Sequence, residues 1–218
     1  MNEWLIDNKK NKFKNSLSQD IYLKLLNKLY TSELVPGDIL NRRDVANMFG
    51  VSVAPVLEAL LQLELEGFMD SFPRKGTVVK PIRREDVYGQ LIVREAIECQ
   101  AARLYCGKPV KENQERLLTE ASKLENTDND VFDRWKMELD FHRTLVGLSE
   151  CDALIREFSR SIRLGVFYRL NRVIPESDKL EHLSHSELVK KLAVSDADTA
   201  EQIIRRHLRS GKKHAFIF

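Results

Sequence analysis

Glu138 and His142 stand four residues apart in a segment whose apolar positions Val131, Trp135 and Leu145 recur at three- and four-residue steps. On a helix, both polar side chains therefore share the apolar face. His185 falls on a stripe with Glu181, Leu188 and Leu192, and His207 on one with Ala200, Ile204 and Gly211. A single core histidine is usually a satisfied packing residue. A carboxylate and three imidazoles on inward faces are costly to bury unless paired or bound to metal, and an acid and a His at i, i+4 converge on one ion. The donor set suits a divalent ion of intermediate softness, with Zn²⁺ expected first and Ni²⁺ or Mn²⁺ as alternatives. Coordination positions would remain for water or a ligand. Asp140 is a rival carboxylate but points about 160° around the helix from Glu138, and His182 is a rival one turn before His185.

A second inward pair is Arg94 and Glu98, on a stripe with Val87, Leu91, Ala101 and Tyr105. The bland reading is an i, i+4 surface ion pair. The functional one is an effector site, because a guanidinium grips a carboxylate with two parallel hydrogen bonds and could hold a small organic acid over the metal.

These residues need helices to carry them. Periodicity predicts helices near 85–106, 110–125, 129–148, 151–173, 178–194 and 196–212, broken at Gly107-Lys108-Pro109, 126–130, Ser149-Glu150, Ile174-Pro175-Glu176 and Ser195-Asp196. Such short breaks favour an all-α bundle. The expected organisation is a flexible arm at 1–14, a first domain at 15–80, a linker at 81–84 and an all-α domain at 85–218 that carries the candidate metal and effector residues. The fold class is thus mainly α, an N-terminal winged helix-turn-helix followed by a C-terminal helical bundle.

The winged part is read from 41–79. After a helix that Ser16 or Ser18 can cap, with the stripe Ile21, Leu25, Leu26 and Leu29 and an end before Pro36-Gly37, a short helix at 43–49 is stopped by Gly50, and a second begins at Ser52. Ser52 is expected to cap it by accepting a first-turn amide, with Pro55 tolerated in that turn. Gly67 ends it, and 68–72 with 77–79 read as two strands around the basic turn Pro73-Arg74-Lys75-Gly76. The second helix of such a pair enters the DNA major groove, and a basic hairpin reaches phosphates or the minor groove. The residues expected to touch DNA are Asn41, Arg42, Arg43, Ser52, Val53, Leu57, Arg74, Lys75 and Gly76.

The run Pro36-Gly37-Asp38, Arg43, Val51-Ser52, Pro55-Val56, Glu58-Ala59-Leu60, Glu66-Gly67 and Gly76 resembles the GntR family of bacterial transcription regulators. The remaining two-thirds resembles the FCD ligand-binding domain of its FadR-type members. That resemblance implies a metal site from an Asp-x-x-x-His pair and two later histidines, which maps onto Glu138, His142, His185 and His207, with Phe141 before the first His and Glu in place of Asp. It also implies a small carboxylate effector, a homodimer and a palindromic double-stranded operator. One departure concerns recognition. The family's recognition helix commonly carries two arginines where this chain has Val53 and Leu57, so DNA binding is expected to be weaker than the family norm, with a shallower salt dependence.

Bulk properties fit. The 218 residues are 43% hydrophobic and 31% charged with a net charge of +2, so nucleic-acid contact must come from local basic clusters. Three cysteines, Cys99, Cys106 and Cys151, have no zinc-ribbon spacing and are expected as reduced thiols in a cytoplasmic protein. No apolar run approaches the ~20 residues of a membrane span, and no membrane partner is expected. The alternative is a metal-dependent hydrolase or oxygenase acting on a small carboxylate. It is disfavoured by the absence of HExxH, GxSxG and a Gly-rich phosphate loop.

Overall fold

Ser16 accepts from the amide of Gln19 at 3.2 Å and so starts helix α1, Leu17–Tyr30, in the computed structural model. The structure describes residues 16–126, 131–171 and 183–210. The arm at 1–14, His182 and Gly211 lie outside them. So do the breaks at 127–130 and 174–176. The helix expected over 178–194 begins only at His185, because Ser184 adopts an extended backbone and caps it. The chain divides into two compact units, 1–87 with 163–173, and 88–162 with 174–218.

In the first unit, α1 buries Ile21, Tyr22, Leu25, Leu26 and Leu29 and packs against α3, Val53–Leu65. Between them run β1, Ile39–Leu40, and α2, Arg42–Phe49. Asn41 caps α2 by accepting from the amide of Arg43 at 2.9 Å. Gly50 ends it at φ 64°, and the next amide, Val51, donates back to the carbonyl of Ala46 at 3.0 Å. This left-handed closure turns the chain into α3 within three residues.

Ser52 stands at the N-cap of α3 but makes no side-chain capping bond, contrary to expectation. Pro55 removes half of the opportunity. It occupies the third helical position, one of the two whose amide a capping hydroxyl uses, and proline has no N–H.

The strands β2, Met69–Phe72, and β3, Gly76–Val79, form an antiparallel hairpin, and β1 adds to the other edge of β3 in the order β1-β3-β2. β1 had no signal in the sequence, since two residues show no alternation. Gly76 is required where it stands. Its φ is +109°, and a Cβ there would lie 2.8 Å from the carbonyl oxygen of Leu40.

A buried polar knot closes this unit. Glu66, just after α3, accepts from Tyr22 Oη at 2.8 Å and from Arg163 Nε at 3.1 Å on one carboxylate oxygen. Arg163 belongs to α8, Asp152–Leu170, whose last turns pack here, with Phe167 edge-on to Phe68 at 5.5 Å. Burial pushes the Tyr22 hydroxyl well above its ordinary pKa.

The second unit is built from most of α4, Arg84–Tyr105, then α5, Lys108–Glu112, α6, Gln114–Glu125, α7, Val131–Gly147, the first part of α8, α9, His185–Leu192, and α10, Ala197–Ser210. Its core includes Ala101, Tyr105, Leu117, Leu145, Phe158, Leu188 and Ile204, all essentially inaccessible to solvent. The helix expected over 110–125 is two helices meeting at Asn113. The Asn113 amide side chain donates to the carbonyl of Pro109 at 2.9 Å, supplying locally the bond that a continuing helix would have made with its backbone. No single helix among the described residues is long and apolar enough to cross a membrane.

Candidate functional site

Three elements of the second unit bring His142 from α7, His185 from α9 and His207 from α10 together. One ligand atom from each lies within 4.8 Å of the others. The His207 ring stacks on His142 with centroids 5.2 Å apart and meets His185 edge-on at 4.9 Å. His142 and His207 are buried, and His185 is partly so. Two nitrogens held ~2.1 Å from one ion are at most ~4.2 Å apart, so the cluster stands at or near binding distance for a single metal.

The His142 ring is held directly, and the other two ride on helices that are anchored. His142 is fixed by Glu98, whose Oε2 lies 2.5 Å from Nδ1. Both residues are buried. Burial pushes the Glu98 carboxyl up, but Arg94 and His142 on either side outweigh it and hold it below the ordinary carboxylate value. An ionised carboxylate only accepts, so Nδ1 carries a proton, and Nε2 is the ring atom left to ligate.

His185 opens α9, where Ser184 caps the helix by accepting from the amide of Glu187. Glu125, at the end of α6, accepts from both the amide and the hydroxyl of Ser186 at 2.9 Å. His207 rides on α10, which is clamped to α4 where Arg205 and Arg209 both donate to Glu95. Burial, then the neighbouring His142 and His185, push the His207 pKa well below its ordinary value, which keeps the ring neutral and able to ligate.

Arg94 Nε donates to the other oxygen of Glu98 at 2.5 Å. Arg94 Nη2, His142 Nε2 and His207 Nδ1 are buried without a hydrogen-bond partner among the described residues. Leaving such groups unsatisfied costs about 1–3 kcal/mol each. Their chemistry fits a metal ion beside a small anion.

Glu138 is half-buried on α7 and is not one of the three-histidine set, but its charge acts on both Arg94 and His207. It therefore borders the same site. Asp140 faces Arg143 and Lys136 instead.

The residues expected at DNA gather in the first unit. Arg42 and Arg43 open α2, Ser52 and Val53 open α3, and all four are exposed, with Leu57 half-buried one turn on. Arg74 and Lys75 are exposed at the hairpin tip, where the Lys75 amide donates to the Phe72 carbonyl at 3.2 Å and Arg74 has φ 64°. Asn41 spends its side-chain oxygen on the α2 cap.

Two family models match. Residues 17–79 fit the gntR family of bacterial regulatory proteins and residues 91–210, more than half of the chain, fit the FCD domain. The chain belongs to the GntR family of transcriptional regulators. It is 28% identical, over 88% of its length and 82% of the relative's, to an HTH-type transcriptional regulator in an unstable DNA locus of Streptomyces ambofaciens. It is 24% identical, over 88% of its length and 86% of the relative's, to the HTH-type transcriptional repressor RspR of Escherichia coli. A putative GntR regulator of Rhodococcus sp. RHA1 has the same fold, with a TM-score of 0.62 at 19% identity over 92% of this chain and 98% of that one. The enzyme alternative falls with this result, since the GntR family and these relatives are transcriptional regulators. As a GntR regulator with an FCD domain, the chain carries its histidine cluster inside the segment that matches that domain.

Missed from the sequence were the supports, Glu125 beside His185 and Glu95 beneath α10. Each acts on a helix at least 60 residues away, which no local spacing reveals.

Proposed function

We propose that this GntR regulator is a cytoplasmic, homodimeric repressor that binds a palindromic operator and is controlled by a small organic acid seated beside a divalent metal. In this reading 15–80 reads the operator and 85–218 senses the effector and dimerises. His142, His185 and His207 hold the metal, with Glu138 as a fourth ligand within reach of the same space. Zn²⁺ is the expected ion, Ni²⁺ or Mn²⁺ the alternatives. Bound there, the ion supplies a positive charge and open positions for a carboxylate.

The chain's own groups do the rest. Glu98 orients His142 and neutralises Arg94 Nε, and Arg94 Nη2 donates to the effector's carboxylate. The carrying observation is that three buried donor or ligand atoms, on Arg94, His142 and His207, lack hydrogen-bond partners among the described residues. Differential binding of the acid to one dimer spacing would then shift the population that fits the operator.

The test combines two measurements on the full chain. Metal content of wild type, His142→Ala and His207→Ala should fall from about one ion per chain to background in both variants. Equal content in all three would overturn the site. Binding to DNA from upstream of its own gene should weaken when a panel of small organic acids is added to the metal-loaded protein. Failure to bind that DNA at low salt would overturn the regulator reading as a repressor of its own locus.

A further inference from the structure

The recognition helix α3 carries no Lys, Arg or Asn at all. Its polar residues are Glu58, Gln62 and Glu64, and two of these are occupied within the fold. Gln62 Nε2 donates to Glu66 at 3.3 Å, and Glu64 accepts from the amide of Ser71 at 3.0 Å. What the helix presents outward is Val53, 41% exposed, with Ala54, Leu57, Glu58 and Leu61, 46% exposed, on the same face. Exposed cations stand on other elements of the same unit, Arg42 and Arg43 at the start of α2 and Arg74 and Lys75 at the hairpin tip.

Major-groove chemistry makes this pattern informative. Guanine is read by donors to O6 and N7, which Arg and Lys supply, and adenine by the paired donor and acceptor of Asn or Gln. None of these is available on the outward face of α3. Thymine alone among the ordinary bases offers an apolar group there, its 5-methyl, and Val, Leu and Ala are the matching surfaces. The N-terminal residues of a recognition helix are the ones that meet base edges, and these are Val53, Ala54 and Leu57. Ser52 adds a hydroxyl that is not used for capping, and Glu58 an acceptor for the amino group of adenine or cytosine.

We infer that α3 reads thymine 5-methyl groups through Val53 and Leu57, so that the operator half-sites are A·T steps with methyls in the major groove, while Arg42, Arg43, Arg74 and Lys75 contact phosphates. This rests on the reading of the chain as a DNA-binding regulator and names what its recognition helix selects.

The test starts by selecting tight-binding duplexes from a random pool with the full-length protein. Each thymine of the selected half-site is then replaced by uracil, which removes only the methyl. Loss of one buried methyl should weaken binding about fourfold, at two or more positions per half-site. Leu57→Ala and Val53→Ala, checked for unchanged thermal melting, should each bind the thymine and uracil duplexes alike at one of those positions. Equal affinity of wild type for thymine and uracil duplexes, or selected half-sites of G·C pairs, would overturn the inference alone. Selection of no duplex would instead overturn DNA binding itself.

Discussion

Glu98 and His142, 44 positions apart in the chain, meet at 2.5 Å with both side chains buried. The carboxylate holds the proton on Nδ1 and leaves Nε2 as the ring atom that can ligate. A support of this kind typically accounts for 10–100-fold in metal affinity. Glu98→Gln should therefore weaken Zn²⁺ binding by about that factor in competition with a chromogenic chelator. Unchanged affinity would show that His142 needs no such support.

Removing the metal should destabilise the second unit. An ion at 100 times its Kd adds about 2.7 kcal/mol, so a strong chelator should lower the Tm of wild type. His207→Ala should melt at the same temperature with and without chelator. A chelator effect of equal size in that variant would place the ion elsewhere.

The wing tip holds a strained residue. Arg74 holds φ 64°, a conformation that costs a side-chain-bearing residue about 1 kcal/mol relative to glycine. Arg74→Gly should raise stability by about that amount in urea titrations. It should also reduce the slope of log K against log salt for DNA by about 1. A stable variant with an unaltered slope would remove Arg74 from the phosphate contacts.

Basic replacements on α3 should act in the opposite sense. Val53→Arg with Leu57→Arg should tighten DNA binding, steepen its salt dependence and move the selected half-site toward guanine. If affinity and preference both stay as they are, α3 is not the reading helix.

The clamp of α10 on α4 should show in the pH dependence of stability. Burial pushes the Glu95 carboxyl up, but Arg209 and Arg205 outweigh it and hold it below its ordinary value. A carboxyl depressed in the folded state adds stability above its unfolded pKa and loses it as pH falls through the folded one. The arginines are 39% and 55% exposed, so screening limits the effect to about 1–2 kcal/mol. Glu95→Gln should thus be less stable than wild type at pH 7, and the gap should begin to narrow below about pH 4 and keep narrowing as the folded carboxyl protonates. A gap of constant size from pH 7 down to the acid limit of the fold would mean that the charge on Glu95 is not what stabilises the clamp.

Much of this molecule was legible from periodicity and punctuation. Gly50, Pro55, Gly67 and Gly76 mark the winged helix-turn-helix because each imposes a backbone state that few other residues tolerate, and the three- and four-residue steps around His142, His185 and His207 place them on inward faces before any fold is known. Local spacing could not show that Ser52 makes no cap where Pro55 removes one of its two amides, a conflict between two individually favourable signals. Nor could it show the break at Asn113, where one side-chain bond outweighs a continuous helical pattern.

The partner of each inward group was the larger matter left to the tertiary structure. Glu98 was legible as half of an ion pair with Arg94, yet its second oxygen belongs to His142, a partner 44 positions away that no local spacing gives. Sequence determines which face of a helix a side chain occupies, because the 100° step per residue is a local property. Which faces meet is decided by how helices from distant parts of the chain pack, and only that packing brings three imidazoles, two from late helices and one from the middle of the chain, to within reach of one ion.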